Sequence, residues 1–139
     1  MNTTTVTIIS SLASGILATI VTLVVTNILQ KRKERYNYKM KIFQDAIAYR
    51  TDIANGSVST GNFQKTMNQV FIAYNDCPEV LAAFENFRKS VIYKENTRLD
   101  NDKIIETLLL LLKAMAKEVK INYDFSNDDL FTKPLIMGH

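Results

Sequence analysis

From Val6 to Leu29 the chain runs for 24 residues without one ionisable side chain. No other feature constrains the fold as much. As a helix rising about 1.5 Å per residue, the stretch reaches roughly 36 Å, enough for a hydrocarbon core about 30 Å thick. Its Ser and Thr hydroxyls can bond back to the preceding turn, so they cost little in lipid. A cleavable leader is the rival reading and fits poorly. Met1–Thr5 carries no base, the apolar run is too long, and Lys31-Arg32-Lys33-Glu34-Arg35 follows where small residues would be needed. The expectation is one retained transmembrane helix over residues 6–29.

Charge sets its orientation. Residues 31–50 hold seven basic side chains (Lys31, Arg32, Lys33, Arg35, Lys39, Lys41, Arg50) against Glu34 and Asp45, a local +5. Residues 51–139 hold ten bases and twelve acids, or −2, so the net +3 of the 139-residue chain comes from one collar. Positive charge on the C-terminal flank places that side in the cytoplasm and residues 1–5 outside, in the cell's inner membrane. The collar proper, residues 30–40 with Lys31, Arg32, Lys33, Arg35 and Lys39, reads as a membrane surface that attracts anionic lipid headgroups. Tyr36 and Tyr38 suit headgroup depth. Nucleic acid as a partner is disfavoured, since no aromatic-lined or recognition-helix pattern accompanies the charge.

The span is not uniform around its circumference. At 100° per residue, Thr4, Thr7, Ser11, Gly15, Ala18, Thr22 and Thr26 share one narrow face, and Ile9, Ala13, Ile16, Leu17, Ile20 and Val24 the opposite one. Small residues so spaced let two backbones approach. Ser11, Gly15, Ala18, Thr22 and Thr26 are therefore the candidate self-association face of a homo-oligomer, or the lining of a narrow pore. A lone anchor rich in Ser and Thr would show the same pattern.

Past the collar, residues 41–119 read as a cytosolic domain of four amphipathic helices, giving an all-α fold with no strand signal. The first, continuous with the span because no Gly or Pro intervenes, extends to about Ala54 and carries Met40, Ile42, Phe43, Ala46, Ile47, Tyr49 and Ile53 at three- and four-residue steps. Asn55-Gly56 ends it. The second starts near Ser59 or Thr60 and presents Phe63, Met67, Val70, Phe71 and Tyr74. Pro78 suits the first turn of the third, which shows Val80, Leu81, Phe84, Phe87, Val91 and Ile92. The charged stretch 94–102 breaks the chain, with Asp100 and Asn101 as caps. The fourth helix, from about Lys103 to Val119, holds five consecutive leucines at 108–112 and is expected to be central and surrounded. The tail, residues 120–139, has Tyr123, Phe125, Leu130, Phe131, Leu135, Ile136 and Met137, and is expected to pack on the domain or on a neighbouring subunit.

Catalytic chemistry finds little footing. Cys77 and His139 are the only cysteine and histidine, and Cys77 before Pro78 reads as a cap residue. Asp124 with Asp128 and Asp129 lacks the ligand ladder of a calcium loop, and Gly56 and Gly61 match no phosphate-binding fingerprint. No metal, cofactor or reaction is expected, and one cysteine cannot form an internal disulfide.

Short motifs carry a family resemblance: Lys41-Ile42-Phe43 leading to Ala48-Tyr49-Arg50, Met67-Asn68-Gln69-Val70 leading to Tyr74, Val80-Leu81-Ala82-Ala83-Phe84, Leu112 to Ala116, Tyr123-Asp124-Phe125, and Gly138-His139. Residues 41–139 thus resemble a bacterial family of uncharacterised small membrane-anchored helical proteins. In that family aromatic residues usually precede the closing Gly-His, where this chain has Pro134-Leu135-Ile136-Met137. The resemblance implies a helical fold and membrane association, and no established reaction. Arg50 and Asn68, shared with the pattern, are polar within apolar helices. They form either a pair that recognises an anion or amide, or two structural groups, with Arg50 tying a helix end or bonding the C-terminal carboxylate and Asn68 satisfying a loop carbonyl.

The leading expectation is a non-enzymatic single-pass protein that self-associates. Its cytosolic domain would recognise a protein partner or a small anionic ligand such as a nucleotide signal, and relay that state along the helix in the manner of a bacterial antiviral-defence membrane effector. The alternative is a passive tether or scaffold for a cytosolic protein.

Overall fold

The computed structural model describes residues 2–50, 61–92 and 98–122. It is all-α, with four helices: α1 (Thr3–Ala48), α2 (Gly61–Ala73), α3 (Pro78–Ile92) and α4 (Arg98–Glu118). Among the described residues there is no strand. The chain divides into two compact units, residues 1–36 and residues 37–139.

The first unit is the bulk of α1, a helix of 46 residues. Asn2 caps it, its carbonyl accepting the amides of Thr5 (2.9 Å) and Val6 (3.2 Å). Within the span, Thr7, Ser14, Thr19 and Thr22 each donate their hydroxyl to the carbonyl four residues back, at 2.8–2.9 Å. These side chains therefore enter an apolar medium with their donors already satisfied. α1 is long and apolar enough to cross a membrane. It stops at Ala48, short of the expected Ala54, where the Arg50 amide bonds the Ile47 carbonyl and closes a turn. Residues 51–60, with Asn55-Gly56 and the caps Ser59 and Thr60, lie outside the described residues.

The second unit has one hydrophobic core. α1 contributes Ile42, Phe43 and Ala46, α2 contributes Phe63, Met67, Val70 and Ala73, and Tyr74 and Cys77 follow from the connection. α3 adds Val80 and Phe87, and α4 adds Ile104, Leu108, Leu111, Leu112, Met115 and Ala116, with Val119 just past its end. The Phe63 and Phe87 rings meet edge to face at 6.2 Å, a favoured aromatic geometry. α3 and α4 run antiparallel: the Glu79 carboxylate at the start of α3 pairs with Lys117 at the end of α4, and Ser90 near the end of α3 hydrogen-bonds Thr107. Pro78 opens α3 as expected, with the Cys77 carbonyl accepting the Leu81 amide at 3.1 Å.

Four further expectations change. α4 starts at Arg98, so Asp100 and Asn101 lie in its first turn instead of before it. Leu110 is 52% exposed, so α4 is not surrounded. Five consecutive leucines at 100° per residue cover every side of a helix, and α4 packs on only part of its circumference. Phe71 on α2 and Ile92 on α3 likewise face outward, at 60% and 58% exposure.

α4 ends in a Schellman motif. The Ile121 amide bonds the Ala116 carbonyl (3.0 Å) and the Lys120 amide the Lys117 carbonyl (3.1 Å), with Lys120 in the left-handed region at φ 55°. Of the tail, Lys120, Ile121 and Asn122 are described, and Ile121 packs on the core. The remainder, including Gly138 and His139, lies outside the described residues.

Candidate functional site

Among the described residues of the second unit, four polar side chains gather around one another: Lys39, Asp76, Cys77 and Glu118. The sequence places Lys39 in the basic collar, but its residue is only 5% exposed. The reason lies in register: Lys39 falls three and four positions before Ile42 and Phe43, on the side of α1 that enters the core. Its ammonium donates to Glu118 Oε1 (2.8 Å), lies 2.9 Å from Asp76 Oδ1, and reaches Cys77 Sγ at 3.0 Å. It also stands 5.7 Å from the centre of the Tyr74 ring, while the Tyr74 hydroxyl donates to the Lys39 carbonyl at 2.8 Å. One side chain thus joins α1 to the α2–α3 connection and to the end of α4.

The electrostatics are those of a closed ion-pair network. Burial alone would lower the Lys39 pKa, but its bonds to Glu118, Asp76 and Cys77 outweigh that and hold it above the ordinary lysine value. The Lys39 bond holds the Asp76 carboxyl at about 2 and also lowers Glu118. Burial pushes the Cys77 thiol up to about 11 despite the nearby ammonium, and burial likewise raises Tyr74. A thiol so held is protonated at neutral pH and a poor nucleophile. The ammonium occupies the space between the acids, and among the described residues no group of three or more His, Cys, Asp and Glu is placed to hold a metal ion.

A second feature is a groove of about 260 Å³ between α2 and α3, walled by Phe63, Gln64, Met67, Asn68, Phe84, Phe87, Arg88, Val91 and Ile92. Its surface is mainly apolar. Among the described residues its cationic wall is Arg88, which is bridged to Glu85 through Nε (2.9 Å) and Nη2 (2.8 Å). Asn68 borders this groove; Arg50 is not among its walls and donates from Nη1 to the Ile47 carbonyl at the end of α1.

Along the span, a shallow depression is bounded by Ser11, Leu12, Gly15, Ile16, Thr19 and Ile20. It takes Ser11 and Gly15 from the expected association face and leaves out Ala18, Thr22 and Thr26. A Cβ at Gly15 would meet nothing within 4 Å. In the collar, Lys31, Arg32, Lys33 and Arg35 are exposed.

The model of a family of unknown function (DUF6680) matches residues 1–132. The chain belongs to that family. The DUF6680 match takes in the apolar stretch and the collar as well as the helical unit, so the likeness begins well before residue 41. It includes Lys39, Asp76, Cys77 and Glu118, and it ends ahead of Gly138-His139. No curated protein and no solved structure matches the chain.

Charge patterning directs Lys39 to the membrane surface, and it is the residue that sequence reasoning misplaces. The available signal was helical register with Ile42, Phe43 and Ala46. Nothing local points to Asp76 or Glu118 as its partners.

Proposed function

We propose that this DUF6680 protein is a non-enzymatic single-pass membrane protein, with its N-terminus outside, its helical unit in the cytoplasm, and a protein-recognition role. The observation that carries the reading is the surface of α1: its large aliphatic side chains between Val6 and Leu29 are 46–65% exposed, all around the helix. So much contiguous apolar surface is unfavourable in water and favourable in a bilayer. The +5 segment that follows supports the cytosolic placement of the C-terminal side.

The groove between α2 and α3 supports an apolar segment of a protein as the ligand over a small anion, because the Arg88 guanidinium is already bridged by Glu85. The ion-pair network around Lys39 supports a non-catalytic reading, since it holds a protonated thiol beside an ammonium already bound by two carboxylates. Continuity of α1 from the span to Ala48 supports a relay between membrane and helical unit, and open space at Gly15 supports self-association there. Antiviral defence is one setting for such a relay; a passive tether would need the anchor alone.

The test is alkaline extraction of membranes expressing the full chain with a C-terminal tag, followed by protease treatment of inverted vesicles. The protein should stay in the pellet and lose its tag. Release into the supernatant would overturn the anchor. Replacing residues 6–29 with an unrelated apolar helix should abolish cross-linked oligomers in a relay and leave a tether's partner capture intact.

A further inference from the structure

The groove between α2 and α3 opens along the later part of α3. Phe84, Phe87, Val91 and Ile92 wall it there, with Phe63 and Met67 opposite on α2. Phe63, Met67 and Phe87 are buried, while Gln64 and Asn68 are exposed at its rim. The chain leaves α4 beside the other end of α3, where Lys117 pairs with Glu79 and Ile121 packs on the core. From Glu79 to Ile92 α3 rises about 20 Å, at about 1.5 Å per residue. The stretch from Ile121 to Leu130 can span up to about 30 Å when extended, so Leu130 can reach either end of the groove.

We propose that residues 130–137 of the same chain occupy this groove, and that a protein partner must displace them. The proposal rests on the reading that the groove takes an apolar segment of a protein, and it names that segment's first competitor. The sequence after Ile121 is divided as a tethered ligand would be. Residues 122–129 hold Asp124, Asp128 and Asp129 with no base, which suits a solvated connection. Residues 130–137 hold Leu130, Phe131, Pro134, Leu135, Ile136 and Met137 against the single charge of Lys133. Removing those side chains from water drives the docking, and Pro134 brings one backbone donor fewer to be satisfied in an apolar groove. Arg88, bridged to Glu85, takes no part in the contact. Covalent attachment at Ile121 holds the segment at an effective concentration on the order of millimolar, so a separate ligand of the same kind succeeds only by binding more tightly.

The test places the photoreactive amino acid p-benzoylphenylalanine at Gln64 of the full chain in detergent. A second variant carries it at Leu110, an exposed position on α4 that would also attract an apolar segment. Unlabelled and isotope-labelled proteins are mixed, irradiated, and their cross-links mapped by mass spectrometry. The Gln64 probe should join residues 130–137 within one chain, and the Leu110 probe should not. Leu135→Asp combined with Ile136→Asp should lower the Gln64 cross-link about tenfold or more, as expected for the loss of two buried aliphatic side chains, with circular dichroism checking that helicity is kept. Capture of the segment at Leu110 instead, or an unchanged Gln64 cross-link in the double variant, overturns the proposal. Cross-links of mixed isotope composition assign the groove to a second copy and also overturn it. A Gln64 probe that captures other proteins in cells and never the segment overturns self-occupancy and leaves the protein-recognition reading standing. A probe that captures neither removes both.

Discussion

Lys39 Nζ on α1 stands 2.8 Å from Glu118 Oε1 on α4, between residues 79 positions apart in the chain. With Asp76 at 2.9 Å on the other side, this ammonium ties together the entry, middle and exit of the helical unit. Lys39→Met keeps most of the volume and removes the charge. Asp76 and Glu118 are each about 40% exposed on their side chains, so water takes up part of the loss. The expected destabilisation is about 1–2 kcal/mol, below the range for fully buried pairs. Urea unfolding of the detergent-solubilised chain, followed by circular dichroism, measures it; an unchanged midpoint would mean that the network adds nothing.

Acid should loosen the same network. The folded Asp76 carboxyl lies at about 2 against 3.8 when unperturbed, and Glu118 is lowered as well. The unfolded chain therefore takes up protons first. The stabilisation is complete above the unfolded values and is lost as pH falls from about 4 toward about 2. Asp76→Asn should flatten that acid limb in a series of melts, and an unaltered limb would count against the pairing.

Cys77 should be slow to alkylate. Its thiol titrates near 11 in the folded protein against 9.0 when unperturbed. At pH 8 the thiolate fraction, and with it the iodoacetamide rate, should be about 100-fold lower than in urea. Because the folded state keeps the proton, the associated stability is present below pH 9 and lost as pH rises toward 11. Equal rates in native and unfolded protein would contradict the burial.

Leu110 and Leu111 are adjacent in a run of five leucines, yet one is 52% exposed and the other fully buried. Leu111→Ala should cost about 3 kcal/mol, within the range for buried leucines, and Leu110→Ala less than about 1 kcal/mol. Similar losses at both positions in thermal melts would show α4 enclosed on all sides.

Lys120 holds φ 55° at the end of α4. Glycine adopts that conformation without a Cβ clash, while its greater freedom in the unfolded chain offsets part of the gain. Lys120→Gly should raise stability by up to about 1 kcal/mol. A lower melting temperature would show that the lysine side chain contributes more than its backbone costs.

Much of the fold was legible in local pattern. The 63-67-70-74 spacing marks the buried side of α2, Pro78 marks the start of α3, and the lack of Gly or Pro between Ile16 and Ala48 allows one long helix. Each is a property of neighbours in the chain. The exposures of Phe71, Ile92 and Leu110 were not legible, because apolarity says that a residue favours burial and does not say that a partner helix reaches it. The candidate site was the least accessible part. Lys39 stands among bases in the sequence, and its carboxylate partners lie 37 and 79 positions further on.

The sequence by itself determined the all-α class, the apolar stretch able to cross a membrane, and the placement of net charge in one segment, because these depend on side-chain type and helical period. Only the tertiary structure decided that Lys39 leaves the collar for a buried network, that Cys77 keeps its proton, and that Arg88 is already bridged at the groove. The environment of a charge is set by whatever packs around it, and here those groups come from helices far apart in the chain.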